Sequence, residues 1–210
     1  MGNKGARELE RLGVSLPRVD FDQKALAFQL TGLPHPLLVT RILACVSACV
    51  RERGLSCLEL LSDGQLTIAT SAGRVRPDGF AVIVHPETHE RVALFFEADR
   101  GTQPFSRTEF AQSHFRMKVL GYDALWRDRD KLGELGADTF LVLTLTKDEA
   151  RMRSLALRVG EMLKPAPAGV EPLFWFATQG VVDLERPTAL LFDEIWESAE
   201  HPRERGSIFE

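Results

Sequence analysis

Apolar runs of five to seven residues alternate along this chain with longer stretches of helical periodicity, and that alternation leaves few folds open. The first periodic stretch is residues 37–53, where apolar side chains at 38, 42, 45, 46, 49 and 50 recur at helical spacing. Leu33-Pro34-His35-Pro36 precedes it, and a proline in the first turn presets φ for a helix start. Gly54 supplies the stop. Strand-like runs come next at 57–61, 66–70, 80–84 and 92–98. Ser62-Asp63-Gly64 makes a turn between the first two, and Pro86 makes 85–90 a loop. A helix over 107–126, a buried strand over 139–144, an amphipathic helix over 147–163 and a strand over 173–177 complete the order. The pattern predicts an α/β (α+β) domain, a central mixed sheet flanked by helices.

At 210 residues the chain fits one domain with short appendages. Residues 1–32 read as an N-terminal extension, a short helix over 4–12 ended by Gly13 and then a mixed segment interrupted by Pro17. Residues 33–180 carry the core, and 181–210 form a C-terminal docking tail in which Phe192, Ile195 and Trp196 fall in a helix-like segment. Residues 164–169 make a short linker rich in proline and alanine.

No apolar run approaches the ~18–20 residues of a membrane span, and Met1-Gly2-Asn3-Lys4 is not followed by the apolar stretch of a secretory signal. A cytoplasmic protein with no membrane partner is expected. Cys45, Cys49 and Cys57 are odd in number. The first two sit four apart on a helix, but no second Cys/His pair completes a tetrahedral site, so they read as buried thiols. The net charge is −4, yet 20 of the 26 cations are arginine and 6 are lysine. Arginines recur in close pairs, among them Arg74/Arg76 and Arg127/Arg129, a residue choice suited to bidentate phosphate contacts or to a solvated face. Phosphate loops, dinucleotide fingerprints and nucleophile elbows are absent from the sequence.

Arg76-Pro77-Asp78-Gly79 alone would be a turn. Two acids some twenty residues downstream change its meaning. Glu97 and Asp99 lie two apart at the end of an apolar strand and so share a face, where like charges repel unless a cation or a proton intervenes. With Asp78 on a neighbouring strand, a hard divalent cation such as Mg²⁺ or Mn²⁺ is a fitting partner. Lys118 lies on the next helix, with His114 four before and Tyr122 four after on the same face. A lysine there is placed to polarise a phosphate or orient an attacking water. Tyr122 as a packing residue and His114 as a surface histidine are the plainer alternatives.

Pro77-Asp78, followed about twenty residues later by Glu97-Ala98-Asp99, resembles the PD-(D/E)xK nuclease signature, and the element order resembles that superfamily's restriction-endonuclease-like core. More specifically, Phe95-Phe96-Glu97-Ala98-Asp99-Arg100-Gly101-Thr102 with Lys118-Val119-Leu120-Gly121-Tyr122 resembles the bacterial replication-relaxation family of plasmid proteins. His35 and Leu37 at the head of the first long helix, and Trp196 before a polar stretch and Ser207-Ile208-Phe209, are similar to it as well. Asp99 stands where the nuclease pattern has lysine; Lys118 would have to take that part from the helix, and without it the site resembles a degenerate one. The resemblance implies a metal-dependent DNA nuclease or nickase acting in plasmid or mobile-element replication and transfer. Asp78 and Glu97 would hold Mg²⁺ or Mn²⁺, with Asp99 as a further ligand or as the base orienting water. Lys118 would stabilise phosphate charge, with His114, Tyr122 and Arg100 in support. Arg74, Arg76, Arg107 and Arg116 are the expected DNA contacts. Gly5-Ala6-Arg7-Glu8-Leu9 resembles the tail of the winged-helix domain that such proteins commonly carry, and the expectation is open between a naturally shortened member, a mis-set start and a core for which a partner supplies that domain. The oligomeric state stays open, a homodimer included. The alternative is a catalytically degenerate nuclease fold that binds DNA or protein as a regulator.

Overall fold

The computed structural model describes residues 35–99, 114–163, 173–201 and 203–209. All of them belong to the second of two units into which the chain divides, Pro34–Glu210. The expected extension 1–32, the linker 164–169, and Arg100 and Arg107 lie outside the described residues, as does the side chain of His114.

Helix α1, His35–Arg53, buries Leu38, Val39, Ile42, Cys45, Val46 and Cys49 along one stripe. It ends as the sequence requires: Gly54 takes φ +64°, and the Leu55 amide donates back to the Val50 carbonyl at 2.9 Å. Strands β1 (Cys57–Ser62), β2 (Ile68–Thr70), β3 (Gly73–Val75), β4 (Gly79–Val84) and β5 (Arg91–Asp99) come after it. Next are α2 (His114–Arg127), α3 (Arg129–Glu134), β6 (Thr139–Thr146), α4 (Glu149–Met162) and β7 (Phe174–Thr178). A short α5 (Ala189–Phe192) leads to β8 (Trp196–Ser198) and β9 (Arg205–Gly206).

Seven strands form one mixed sheet in the order β1-β4-β5-β6-β7-β8-β9, and β2 pairs only with β3. Pairing is antiparallel from β1 to β5, parallel through β5, β6 and β7, and antiparallel again at β8 and β9. The parallel steps need crossovers, and α2 with α3 supplies the first while α4 supplies the second. The expected mixed sheet flanked by helices is therefore present.

Two details differ from the sequence reading. Asp63-Gly64 does turn the chain, with Gly64 at φ +80° and the Gln65 amide on the Ser62 carbonyl, but β1 and β2 do not pair across it. β1 instead lies beside β4, because the buried strand offers it a longer ladder. The C-terminal segment is likewise more than a docking tail. Trp196 sits in β8, fully buried, and extends the main sheet from β7.

The register sets the two faces. Phe80, Phe95, Val142 and Phe174 are direct neighbours across β4, β5, β6 and β7. They share one core with Val119, Tyr122 and Leu125 of α2 and Leu155, Ala156 and Val159 of α4. Phe95 packs its ring 5.1 Å from those of Phe80 and Tyr122, and burying each such ring contributes about 1.5–3 kcal/mol. Alternate residues, Ile83, Leu94 and Phe96 among them, project from the opposite face, where α1 packs against β1, β4 and β5. Glycine at 79 lets α1 approach: a Cβ there would fall 3.2 Å from Leu43 Cδ2.

Candidate active site

Asp78 stands one residue before β4, and its amide still joins the ladder by donating to the Phe96 carbonyl at 3.1 Å. Pro-Asp-Gly is thus the entry to a central strand rather than a surface turn. The Asp78 side chain turns to β5, where Oδ2 accepts the Ala98 amide at 2.8 Å. That bond fixes the carboxylate and leaves Oδ1 for Lys118 and His35.

Glu97 lies on the α2 face of β5 and is 3% exposed. Burial pushes its carboxyl well above the usual range, and the nearby Asp78 adds to the push, while Lys118 and Tyr122 act against it. Tyr122 donates its hydroxyl to Glu97 Oε1 at 2.7 Å, so the ring that packs on Phe95 also anchors the acid. Burial, and then Glu97, hold the Tyr122 phenol far above its ordinary range, so it serves as a proton-bearing donor.

Lys118, one helical turn before Tyr122, completes the group. Its Nζ donates to Asp78 Oδ1 at 3.1 Å and also to Glu97 Oε2. Burial pulls the ammonium's pKa down, but the two carboxylates outweigh it and the net shift is upward. The lysine is therefore a fixed cation between two acids, and a quarter of its side chain remains open to solvent. The i, i+4 spacing of Lys118 and Tyr122 brings both onto Glu97.

Asp99 is not part of this group. Both of its oxygens are held by Arg151 of α4, Nε to Oδ2 at 2.6 Å and an Nη to Oδ1 at 2.9 Å. Arg151 is 5% exposed, so this is a buried bidentate pair that closes the end of β5 onto α4. Alternation does put Glu97 and Asp99 on one face as expected, but the two acids face different helices.

The structure adds one residue whose role the sequence did not disclose. His35 opens α1 on the far side of the sheet, and its Nε2 lies 3.5 Å from Asp78 Oδ1. Helices from both faces thus meet at one carboxylate oxygen. The sequence signal was the Pro-His-Pro helix start, which marks position but not a contact. Of the arginines, Arg74 and Arg76 are exposed on and just after β3, and Arg116 is half-buried on α2. Cys45 and Cys49 are free and buried, as expected, whereas Cys57, at the start of β1, is free but only half-buried.

Among the described residues no three His, Cys, Asp or Glu side chains converge on one point to hold an ion by themselves, and no helix is long and apolar enough to cross a membrane. Comparison of the chain with family models, with curated proteins and with solved structures returns no match.

Proposed function

We propose that Asp78, Glu97 and Lys118 form the phosphodiester-cleaving centre of a divalent-metal-dependent DNA nuclease or nickase, of the replication-relaxation kind, with a restriction-endonuclease-like core. The observation that carries this reading is the lysine: Lys118 reaches both carboxylates from α2 and so occupies the functional place that the usual strand lysine would have. The order α1, β1, β4, β5, α2, β6 supports it, because it delivers one acid from the start of β4 and the other from β5. Plasmid or mobile-element replication and transfer is the setting that the resemblance implies.

The donor set fits a hard cation. Asp78 Oδ1 and Glu97 Oε2 converge on one ammonium, and Mg²⁺ takes one or two carboxylates together with waters and substrate phosphate. A bound Mg²⁺ or Mn²⁺ would supply an activated water and offset the charge developing on phosphate. The chain's own residues do the positioning. The Ala98 amide and the Tyr122 hydroxyl each hold one oxygen of an acid, which leaves the other oxygen of each to Lys118. Lys118 stays protonated through neutral pH and donates to phosphate oxygens. His35 approaches the same Asp78 oxygen, its Nε2 3.5 Å from Oδ1. Asp99, expected as a third ligand or as the base, instead clamps the strand end through Arg151. Arg74 and Arg76 are exposed and within four residues of Asp78 in sequence, which suits them to backbone phosphates.

A second reading, a degenerate nuclease fold that binds DNA or protein without cutting, is favoured by the same ammonium, because a lysine paired with both acids already balances their charge. Nicking of supercoiled plasmid with Mg²⁺ or Mn²⁺ separates the two. Metal-dependent nicking that disappears in Asp78→Ala and Glu97→Ala supports the enzyme. Intact plasmid, still bound by the wild-type protein, assigns the fold to binding.

A further inference from the structure

Thr144 sits in the middle of β6, fully buried, and its hydroxyl is the one buried side-chain oxygen or nitrogen among the described residues with no hydrogen-bond partner. Its position is specific. The parallel register sets Thr144 directly beside Glu97 on one side and Phe176 on the other, so all three side chains leave the same face of the sheet. Two residues on, Thr146 has its hydroxyl satisfied by the Asp148 carbonyl at 3.0 Å. The strand around Thr144 is otherwise Val142, Leu143 and Leu145, and a valine would fill the same space with no polar atom to leave unpaired. An unpaired buried hydroxyl destabilises the protein that carries it.

The neighbouring acid is a candidate partner. In the structure Glu97 accepts one donor on each oxygen, Tyr122 on Oε1 and Lys118 on Oε2. Once an ion draws on Glu97 and Lys118 turns to phosphate, the carboxylate loses one donor. We infer that Thr144 is a positioning residue whose hydroxyl donates to the Glu97 carboxylate when a divalent cation is bound, and is unpaired when it is not. This rests on the reading of Asp78 and Glu97 as the ion-holding pair.

The test is a comparison of the full-length wild type with Thr144→Val and Thr144→Ser, reading thermal midpoint without metal and Mn²⁺ affinity by calorimetry. Thr144→Val should melt about 2–4 °C higher, since the orphaned hydroxyl is gone. It should also bind Mn²⁺ about tenfold more weakly, the loss of one hydrogen bond to a charged group. Thr144→Ser, which keeps the hydroxyl, should return Mn²⁺ affinity to within about threefold of wild type. A purely structural threonine would show neither the opposite signs nor the rescue. Equal Mn²⁺ affinity in wild type and Thr144→Val overturns the inference and leaves the ion site standing. A Thr144→Val protein that melts lower overturns the premise that the hydroxyl is unpaired at rest. No Mn²⁺ uptake by the wild type overturns the ion site and this inference together.

Discussion

Replacing Lys118 by methionine isolates the centre of the site. Methionine keeps most of the side-chain volume and removes the ammonium that bridges Asp78 and Glu97. Breaking a buried ion pair from one side costs about 3–5 kcal/mol, because the remaining charge has no partner. Asp78 retains 14% side-chain exposure and its Ala98 amide bond, so it can be partly hydrated, whereas Glu97 at 4% cannot. The lower end, about 3 kcal/mol near pH 9 where the wild-type Glu97 is ionised, is therefore expected, or about 6–12 °C in thermal midpoint for a chain of this size. The effect depends on pH. Burial raises the Glu97 pKa from 4.5 to about 8, so between those values the folded protein keeps a proton that the unfolded chain releases, and stability falls as pH rises. Removing Lys118 removes an influence that lowers that pKa, so the ionisation cost grows and reaches higher pH. The raised Lys118 pKa acts in the same sense, contributing stability that is full below its unfolded value and lost above it. Lys118→Met should thus destabilise least at pH 5, where the pairing with Asp78 alone is lost, and most near pH 9, where adding Glu97→Gln should recover at least about 1 kcal/mol of the loss. Urea denaturation of the wild type, both single variants and the double variant across that range measures all of this. A Lys118→Met protein within about 0.5 kcal/mol of wild type at every pH would refute the argument, placing the ammonium with exposed surface pairs.

Two further perturbations test neighbouring parts of the structure. Arg151→Met should cost about 3 kcal/mol by leaving Asp99 unpaired at the end of β5, measured by urea denaturation; Asp99→Asn in that background should recover part of it, and neither change should alter Mn²⁺ affinity. Gly121→Ala should cost about 1–3 kcal/mol by calorimetry, since a methyl group there would overlap Val75 Cγ2, and Val75→Ala should restore most of the loss.

What the sequence disclosed tracks the range of the forces involved. α1, β4, β5, β6 and α4 have periodicities set by one buried face, and each is found within a few residues of its expected bounds. β3 is three residues long and carries no period, so Gly73-Arg74-Val75 gave no strand signal. The Asp63-Gly64 turn was visible because it is local, while the choice of β4 over β2 as the partner of β1 depends on residues twenty positions away. Trp196 looked helical in isolation and is a strand because β7 presents an edge to it. The site divides in the same way. Strand alternation and helical i, i+4 spacing located Glu97, Lys118 and Tyr122. No local pattern could show that Asp99 would find Arg151, 52 residues on, or that His35 would reach Asp78 around the sheet.

The β2–β3 hairpin stands outside the main sheet, yet it packs on the helix that carries Lys118. Val75 rests on Gly121, three residues past Lys118, with no side chain between the strand and the α2 backbone. From the other side, Lys131 of α3 ties down the hairpin through the Ala69 carbonyl. Arg74 and Arg76 project from the free side of this same small element. A load taken up by those two arginines would therefore pass through Val75 to the helix that carries the ammonium.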